Sequence, residues 1–322
     1  KSVWHFYRHV SHLDSARALQ PSAGGAPRGA HIDDPSKKEE KAQSVMSHYQ
    51  RIACLCTEAV DTLYALGAEE HIAGISGFTV HPPRAREEKP KISGFSSGKI
   101  ERILSVEPDL VVGYSSLQAE LCKDLSKAGV EVLLFNHRTI SGILRMVRVL
   151  AALVEKEKQG NLLEITLHTR LDVARTQAKL WDLAGWRRPV VYFEEWHEPL
   201  TTGIGWVSEL IQLAGGVDAF AELSQGNSAK ERKIDDAQEV IRRQPDIIIG
   251  SWCGRAFDRE ALMARPGWAD IPAVRMAEDG MVCEIKSSDI LAPGPAAIQH
   301  GLSQLQQLIG RWHARHHGTL AE

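Results

Sequence analysis

Between Leu162 and Ala184 the chain runs for 23 residues without a glycine or a proline. Within it Leu163, Leu167, Leu171, Ala174 and Ala178 recur at three- and four-residue spacing, which predicts one unbroken amphipathic helix. At 1.5 Å per residue it would be about 35 Å long, against a usual helix of ~11–12 residues. A rod of that length serves naturally as a strut between two bodies. The sequence on either side should then encode two bodies of similar build.

It does. Glu101–Gly113 (ERILSVEPDLVVG) and Gln238–Gly250 (QEVIRRQPDIIIG) match at a constant offset of 137. Each copy reads as helix, Pro-Asp, three apolar residues, Gly. Proline lacks the donor that would continue the helix, aspartate favours the turn, and the apolar run suits a strand buried on both faces. A weaker match pairs Leu63–Gly67 with Leu210–Ala214.

The remaining pattern alternates in the same way. Before the rod, strands are expected at Arg51–Cys56, Ile72–Phe78, Asp109–Gly113 and Glu131–Phe135, with helices at Glu58–Leu66, Ile100–Val106, Leu117–Ala128 and Ile143–Leu153. After it come strands at Pro189–Phe193 and Asp246–Gly250, helices at Val207–Leu213 and Ala237–Arg243, and a closing amphipathic helix at Ala296–Arg311. This predicts an α/β fold of two Rossmann-like lobes with parallel sheets, joined by a single long helix. Residues 1–50 read as an N-terminal extension: a short helix at Lys1–Leu19, then linker through the Gly/Pro/Ala-rich Pro21–Ala30 and the charged Asp33–Lys41. The lobes span 51–158 and 186–322, with 159–185 as the connecting helix. Gln159-Gly160-Asn161 reads as an interruption just before the rod.

Composition narrows the function classes. With 43% hydrophobic and 25% charged residues and a net charge of -3, the chain is an ordinary globular protein with no footprint for nucleic acid. No run of ~18 apolar residues exists, so an integral membrane protein is not expected. The chain opens with neither Met nor an apolar signal-peptide core and reads as a mature or trimmed form. Cys54, Cys56, Cys122, Cys253 and Cys283 are odd in number and irregularly spaced, so they read as free thiols rather than a disulfide framework, which leans against an oxidising compartment. Cys54 and Cys56 should share one strand face. No Gly-x-Ser-x-Gly, P-loop, Gly-x-Gly-x-x-Gly or His-Glu-x-x-His motif is present, and Glu194 and Glu195 would point to opposite sides of a strand, unsuited to paired acid/base work.

Over roughly Arg51–Arg311, Leu63-Tyr64-Ala65-Leu66-Gly67, Val80-His81-Pro82-Pro83, Gly203–Gly216 (GIGWVSELIQLAGG) and Ala292-Pro293-Gly294-Pro295 occur in order. In these the chain resembles the class III periplasmic binding proteins, the cobalamin-, haem- and ferric-siderophore-binding components of ABC importers. Tyr192–Trp196 (YFEEW), Gly250–Gly254 (GSWCG) and Ala264–Trp268 (ARPGW) are similar to stretches in a subgroup labelled cobalamin-binding. The resemblance implies a monomer that captures one ligand between its lobes without turnover, with no cofactor of its own, in a periplasmic or extracytoplasmic location. It implies an ABC permease and its ATPase as partners, and an acidic docking residue on each lobe. Glu101 fills the first position; the second holds Gln238, with Glu239 adjacent.

In open α/β sheets ligands bind outside the carboxyl ends of strands. That rule gathers Cys56, Thr57, Glu58, Phe78, His81, Phe95 and Tyr114 in the first lobe, and Trp196, His197, Trp252, Cys253, Arg255 and Asp289 in the second. From these, Phe78, His81, Phe95, Tyr114, Trp196, His197, Trp252, Cys253, Arg255 and Asp289 are the expected ligand-binding set. The resemblance implies cleft positions at Phe78, His81, Phe95 and Asp289, and a further one in the Pro199–Thr202 loop, which here holds Leu200 in place of an aromatic ring. Flat rings suit a macrocycle, and Arg255 could grip an anionic oxygen. Trp196 and Trp252 should face the cleft, Trp206 and Trp268 should pack in the core, and His313, His316 and His317 should form a solvated tail. His197 and Cys253 are candidate ligands to a bare metal, though no tight ligand spacing supports them. The expected ligand is cobalamin or another corrinoid, then a ferric siderophore or haem, then a bare transition metal. A two-lobed metal or tetrapyrrole enzyme is the alternative of another class.

Overall fold

Backbone pairing in the computed structural model, which describes residues 48–318, arranges the strands in two sheets. The extension expected at 1–50, with its short helix and linker, falls almost wholly outside the described residues. The first sheet contains β1 (Ile52–Cys54), β2 (Ile72–Ser76), β3 (Lys91–Ser93), β4 (Leu110–Tyr114) and β5 (Glu131–Phe135) in the order β3-β2-β1-β4-β5, all parallel. The second contains β6 (Val190–His197), β7 (Leu200–Thr202), β8 (Val217–Asp218), β9 (Ile247–Gly250) and β10 (Val282–Glu284), in the order β10-β9-β6-β7 with β8 also on β6. Its pairs are parallel except β6 with β7, which is antiparallel.

The repeat is structural as well as textual. Helix Ile100–Leu104 leads to β4, and helix Gln238–Arg242 leads to β9. In both copies the residue before Pro-Asp turns through the left-handed region: Glu107 and Gln244 each have φ of 45°. Few non-glycine residues adopt that region, so its recurrence at equivalent places marks one bend used twice.

The rod is a single helix, Glu157–Leu183, of 27 residues and about 40 Å. Gly160 does not interrupt it but sits inside its first turn. A Cβ at Gly160 would lie 2.6 Å from that of Ala151, so the glycine is there to let helix Ile140–Leu153 pass close by. Gly160→Ala should therefore destabilise the protein by about 1–3 kcal/mol through overpacking, despite alanine's better helix propensity. A drop in the urea midpoint at unchanged slope would register it; an unchanged midpoint would refute the close-approach explanation.

Alternation along β1 sends Cys54 and Cys56 into a core that continues through both lobes, and Ala53 and Leu55 into a smaller cluster on the opposite face. The five thiols are free, and burial pushes that of Cys54 up to about 12. Trp206 and Trp268 are buried, as core residues should be. Of the C-terminal histidines, His316 and His317 are exposed as a solvated tail should be, whereas His313 differs from expectation. His313 is only 1% exposed, with ring centroids 4.3 Å from Trp181, 5.4 Å from Trp186 and 5.2 Å from Trp312. His316 stacks on Trp312 at 4.0 Å and His317 on Trp186 at 4.7 Å. The closing helix Leu302–His317 turns this part of its surface onto the end of the rod, where tryptophans receive it.

Candidate functional site

Each sheet changes winding direction once, and the crevice at such a switch is where strand-end loops part and ligands bind in α/β sheets. In the first sheet the switch lies between β1 and β4, in the second between β6 and β9. The residues leaving these strands are Thr57 and Glu58 after β1, Tyr114 and Ser115 at β4, Glu194–His197 at β6, and Ser251–Arg255 after β9.

The second lobe's switch is built on Glu194, which is fully buried. Its Oε1 accepts from Trp252 Nε1 at 3.0 Å and Arg265 Nη2 at 2.8 Å; its Oε2 accepts from Tyr192 Oη at 2.9 Å and Arg265 Nη1 at 2.6 Å. A carboxylate this deep is tolerable only with a bidentate guanidinium and its remaining lone pairs occupied. The network explains a departure from expectation: Trp252 is 4% exposed rather than a cleft-facing ring, because its indole N–H is spent on Glu194. Its ring packs between His197 at 4.5 Å and Phe257 at 5.2 Å. What reaches solvent is Trp196 and His197 in part, with Arg255 and Cys253 exposed. Glu195 leaves the opposite side of β6, where its Oε1 accepts from Arg232 Nη2 at 2.9 Å.

Arg255 Nη1 lies 2.7 Å from His197 Nε2. Guanidinium can only donate, so Nε2 accepts and the ring proton sits on Nδ1. With that lone pair occupied, His197 is not poised as a metal ligand, and no group of three His, Cys, Asp or Glu side chains among the described residues is placed to hold a metal.

On the first lobe Phe78 and Phe95, 54% and 52% exposed, stand edge to face with centroids 6.2 Å apart. Tyr114 is committed within the protein: its hydroxyl donates to the His137 carbonyl at 2.7 Å and accepts from Arg138 Nη1 at 2.8 Å, while its ring lies 6.5 Å from that of Trp206 across the lobes.

Two residues singled out separately meet at the seam. His81 Nε2 is 2.8 Å from Asp289 Oδ1, and the His81 ring stacks on His300 at 4.9 Å. Burial works against ionisation of Asp289, but hydrogen bonds from His81, Gln304 and Ser288 outweigh it and hold the carboxyl below its ordinary value. Further bonds cross the seam from Ala296 N to Asp61 (2.8 Å), between His137 Nε2 and the Pro293 carbonyl (2.9 Å), from Arg138 Nη2 to the Asn227 carbonyl (2.9 Å), and from Ile140 N to Glu209 (2.6 Å). Between them remains a cavity of about 20 Å³ lined by Thr57, Glu58, Asp61, Phe78, His81 and Ser288, room for about one water. Asp61, His137, Arg138, His300 and Gln304 were not selected from the sequence. No local spacing singles them out, since each gains its partner from the other lobe or, for Gln304, from the short helix 15 positions before it. A wider open groove of about 540 Å³ lies away from the strand ends, with Leu144, Leu171, Ala178 and Leu213 in its floor.

Of the docking candidates, Glu101 is exposed on its short helix, whereas Glu239 is engaged by Arg242 and, at 3.6 Å, by Arg243. No helix among the described residues is long and apolar enough to cross a membrane.

Comparison with known proteins gives concordant results. A family model described as periplasmic binding protein matches residues 52–278. The vitamin B12-binding protein of Vibrio campbellii is 26% identical over 233 residues, covering 70% of this chain and 78% of that protein. The solved vitamin B12-binding protein BtuF of Vibrio cholerae superposes with a TM-score of 0.63 at 21% identity, covering 82% of this chain and 98% of the other. The haem-binding protein RhuT from Roseiflexus superposes with a TM-score of 0.69 at 22% identity, with coverage of 82% and 98%.

Proposed function

We propose, from the premise that this chain belongs to the periplasmic binding protein family, the substrate-binding components of ABC importers, that the guest it delivers to its permease is a corrinoid. The observation that carries this reading is the pair of half-exposed rings, Phe78 and Phe95, set edge to face beside the interlobe seam. Large exposed rings are costly to leave in water and give contact area at low entropic cost, which suits the flat face of a macrocycle. Trp196, His197 and Arg255 supply an amphipathic counterpart on the second lobe, and the cavity in the seam is lined largely by polar groups. A macrocycle resting on this rim meets the polar fringe with its side arms. Trp252 acts here as a support for His197 and Arg255, and Cys253 as a rim residue. The names of the Vibrio relatives point the same way. Delivery would use Glu101 as the free acidic docking residue, with the Gln238–Glu239 corner of the other lobe as its weaker counterpart.

Calorimetric titration with cyanocobalamin, haemin, a ferric siderophore and Co²⁺ tests the reading. One-to-one binding of cyanocobalamin without its conversion is expected, with thermal stabilisation of about 2.7 kcal/mol at a hundredfold excess over Kd. Binding of haemin or of the bare cation alone would overturn it. Phe78→Ala and Phe95→Ala should each weaken cyanocobalamin binding by about tenfold, as expected for truncating an aromatic anchor. Their unfolding midpoints should stay put, because these rings are not packed in the core.

A further inference from the structure

Glu58 is 4% exposed, and its Oε1 has no hydrogen-bond partner among the described residues. Its carboxyl receives a 3.3 Å bond at Oε2 from Thr57, with the Cys56 thiol and its own backbone N–H as further donors beside it. No arginine or lysine pairs with it, unlike Glu194 and Glu195, the other carboxylates at a switch point. The side chain follows β1 at the winding reversal of the first sheet and lines the small cavity in the seam. Gly294 of the opposite lobe covers it so closely that a Cβ there would lie 2.7 Å from that of Glu58. Asp61, one turn further along the same helix, lines the same cavity. A buried carboxylate oxygen left without a donor is costly, and at the edge of a cavity it is explained if a group is to be received there.

We propose that Glu58 selects the ligand: it takes an uncharged hydrogen-bonding arm, such as a primary amide, into the seam and rejects a carboxylate. The inference rests on the corrinoid reading for its choice of probes and deepens it, since the side arms of corrinamides are amides whereas those of haem are carboxylates. An amide N–H satisfies Oε1 directly. A carboxylate in the same place would stand beside Glu58 and Asp61 with no arginine or lysine lining the cavity, and like charges juxtaposed at a binding surface cost several kcal/mol. Burial, with a small contribution from Asp61 and against hydrogen bonds from its own N–H, Thr57 and Cys56, raises the Glu58 carboxyl to about 7, so rejection of a carboxylate should be strongest above that pH, where Glu58 is ionised. For an arm to enter, the lobes must part slightly at the His81–Asp289 bond, which borders the cavity.

Two matched pairs of probes test this: cyanocobinamide against cobyrinic acid, and haemin diamide against haemin. Wild-type protein should bind the amide member of whichever pair it accepts at least about tenfold more tightly than the acid member. Glu58→Gln, an isosteric change, should keep amide affinity within about threefold while acid affinity rises, so that the preference shrinks to a few-fold. Equal affinities for amide and acid in the wild type overturn the inference without any variant. So does a preference that survives Glu58→Gln in protein with an intact melting transition, the result expected if Oε1 merely holds a water. Selectivity seen only in the haem pair leaves the Glu58 inference standing and overturns the corrinoid reading. Failure of all four probes to bind overturns both.

Discussion

Glu194→Ala should lower the unfolding free energy by about 3–5 kcal/mol, the usual cost of removing one partner of a buried ion pair. For a chain of this size that is a fall in Tm of roughly 10 °C. Four donors converge on one fully buried carboxylate, and all four are stranded when it goes: both nitrogens of the Arg265 fork, the Tyr192 hydroxyl and the Trp252 indole. The stranded guanidinium dominates, because a charge without its counter-ion keeps its desolvation cost and loses its compensation. Replacing both partners, as Glu194→Leu with Arg265→Met, should recover a large part of the loss, since an apolar pair leaves no charge unpaired. Urea unfolding of the single and double variants measures both effects. A loss below about 1 kcal/mol for Glu194→Ala would mean that water reaches the pair, because that is the scale of an exposed salt bridge. The same substitution frees Trp252, so the platform under His197 and Arg255 should loosen with it.

His313→Phe should make the protein more resistant to acid, by about 3 kcal/mol at pH 4 relative to the wild type, taking 1.36 kcal/mol per pKa unit. Burial, aided by His317, His316 and Arg187, pushes the His313 imidazole down to about 4 from an ordinary 6.5, with Asp182 opposing weakly. The unfolded state therefore binds a proton that the folded state refuses. The stability tied to a neutral His313 is fully present above pH 6.5 and is lost as the pH falls toward 4. Glu58 acts with the opposite sign. Its folded carboxyl is raised to about 7 from 4.5, so the folded state holds the proton more tightly and stability grows as the pH falls from 7 to 4.5. The two contributions are similar in size and oppose each other across this window. Glu58→Gln should expose the His313 slope, with stability falling on acidification, and His313→Phe should expose the reverse. Parallel profiles for wild type and both variants between pH 4 and 7 would refute this pairing of opposed titrations.

Much of the architecture can be read from the chain because it is written in long or repeated patterns. A glycine-free amphipathic run specifies the rod, and two Pro-Asp corners at one offset specify two like lobes, down to the shared backbone bend at Glu107 and Gln244. What escapes such reading is decided by partners far away in sequence. Gly160 looks like a breaker, yet it is spacing for the helix that passes Ala151. Trp252 looks like a cleft ring by its place after β9, but a carboxylate 58 positions earlier draws its N–H inward. His313 looks like part of a polar tail, until the closing helix buries it beside Trp181 of the rod and Trp186 of the turn that follows. For the candidate site, strand-end logic gathered residues of both lobes that border the seam, including the first turn of the helix that holds Glu58. It could not foresee that His81 and Asp289 would meet each other, because their contact spans 208 positions.

The seam bonds are a statement about time. Among the described residues the rod is the covalent crossing between the lobes, and hydrogen bonds such as those of Asp289, Asp61 and Asn227 fasten the seam alongside the core and ring contacts that span it. They must yield together for an arm to slip in or out. Occupancy would then turn over on the clock of that concerted release, giving slow arrival and long residence from a mouth that is ordinarily shut.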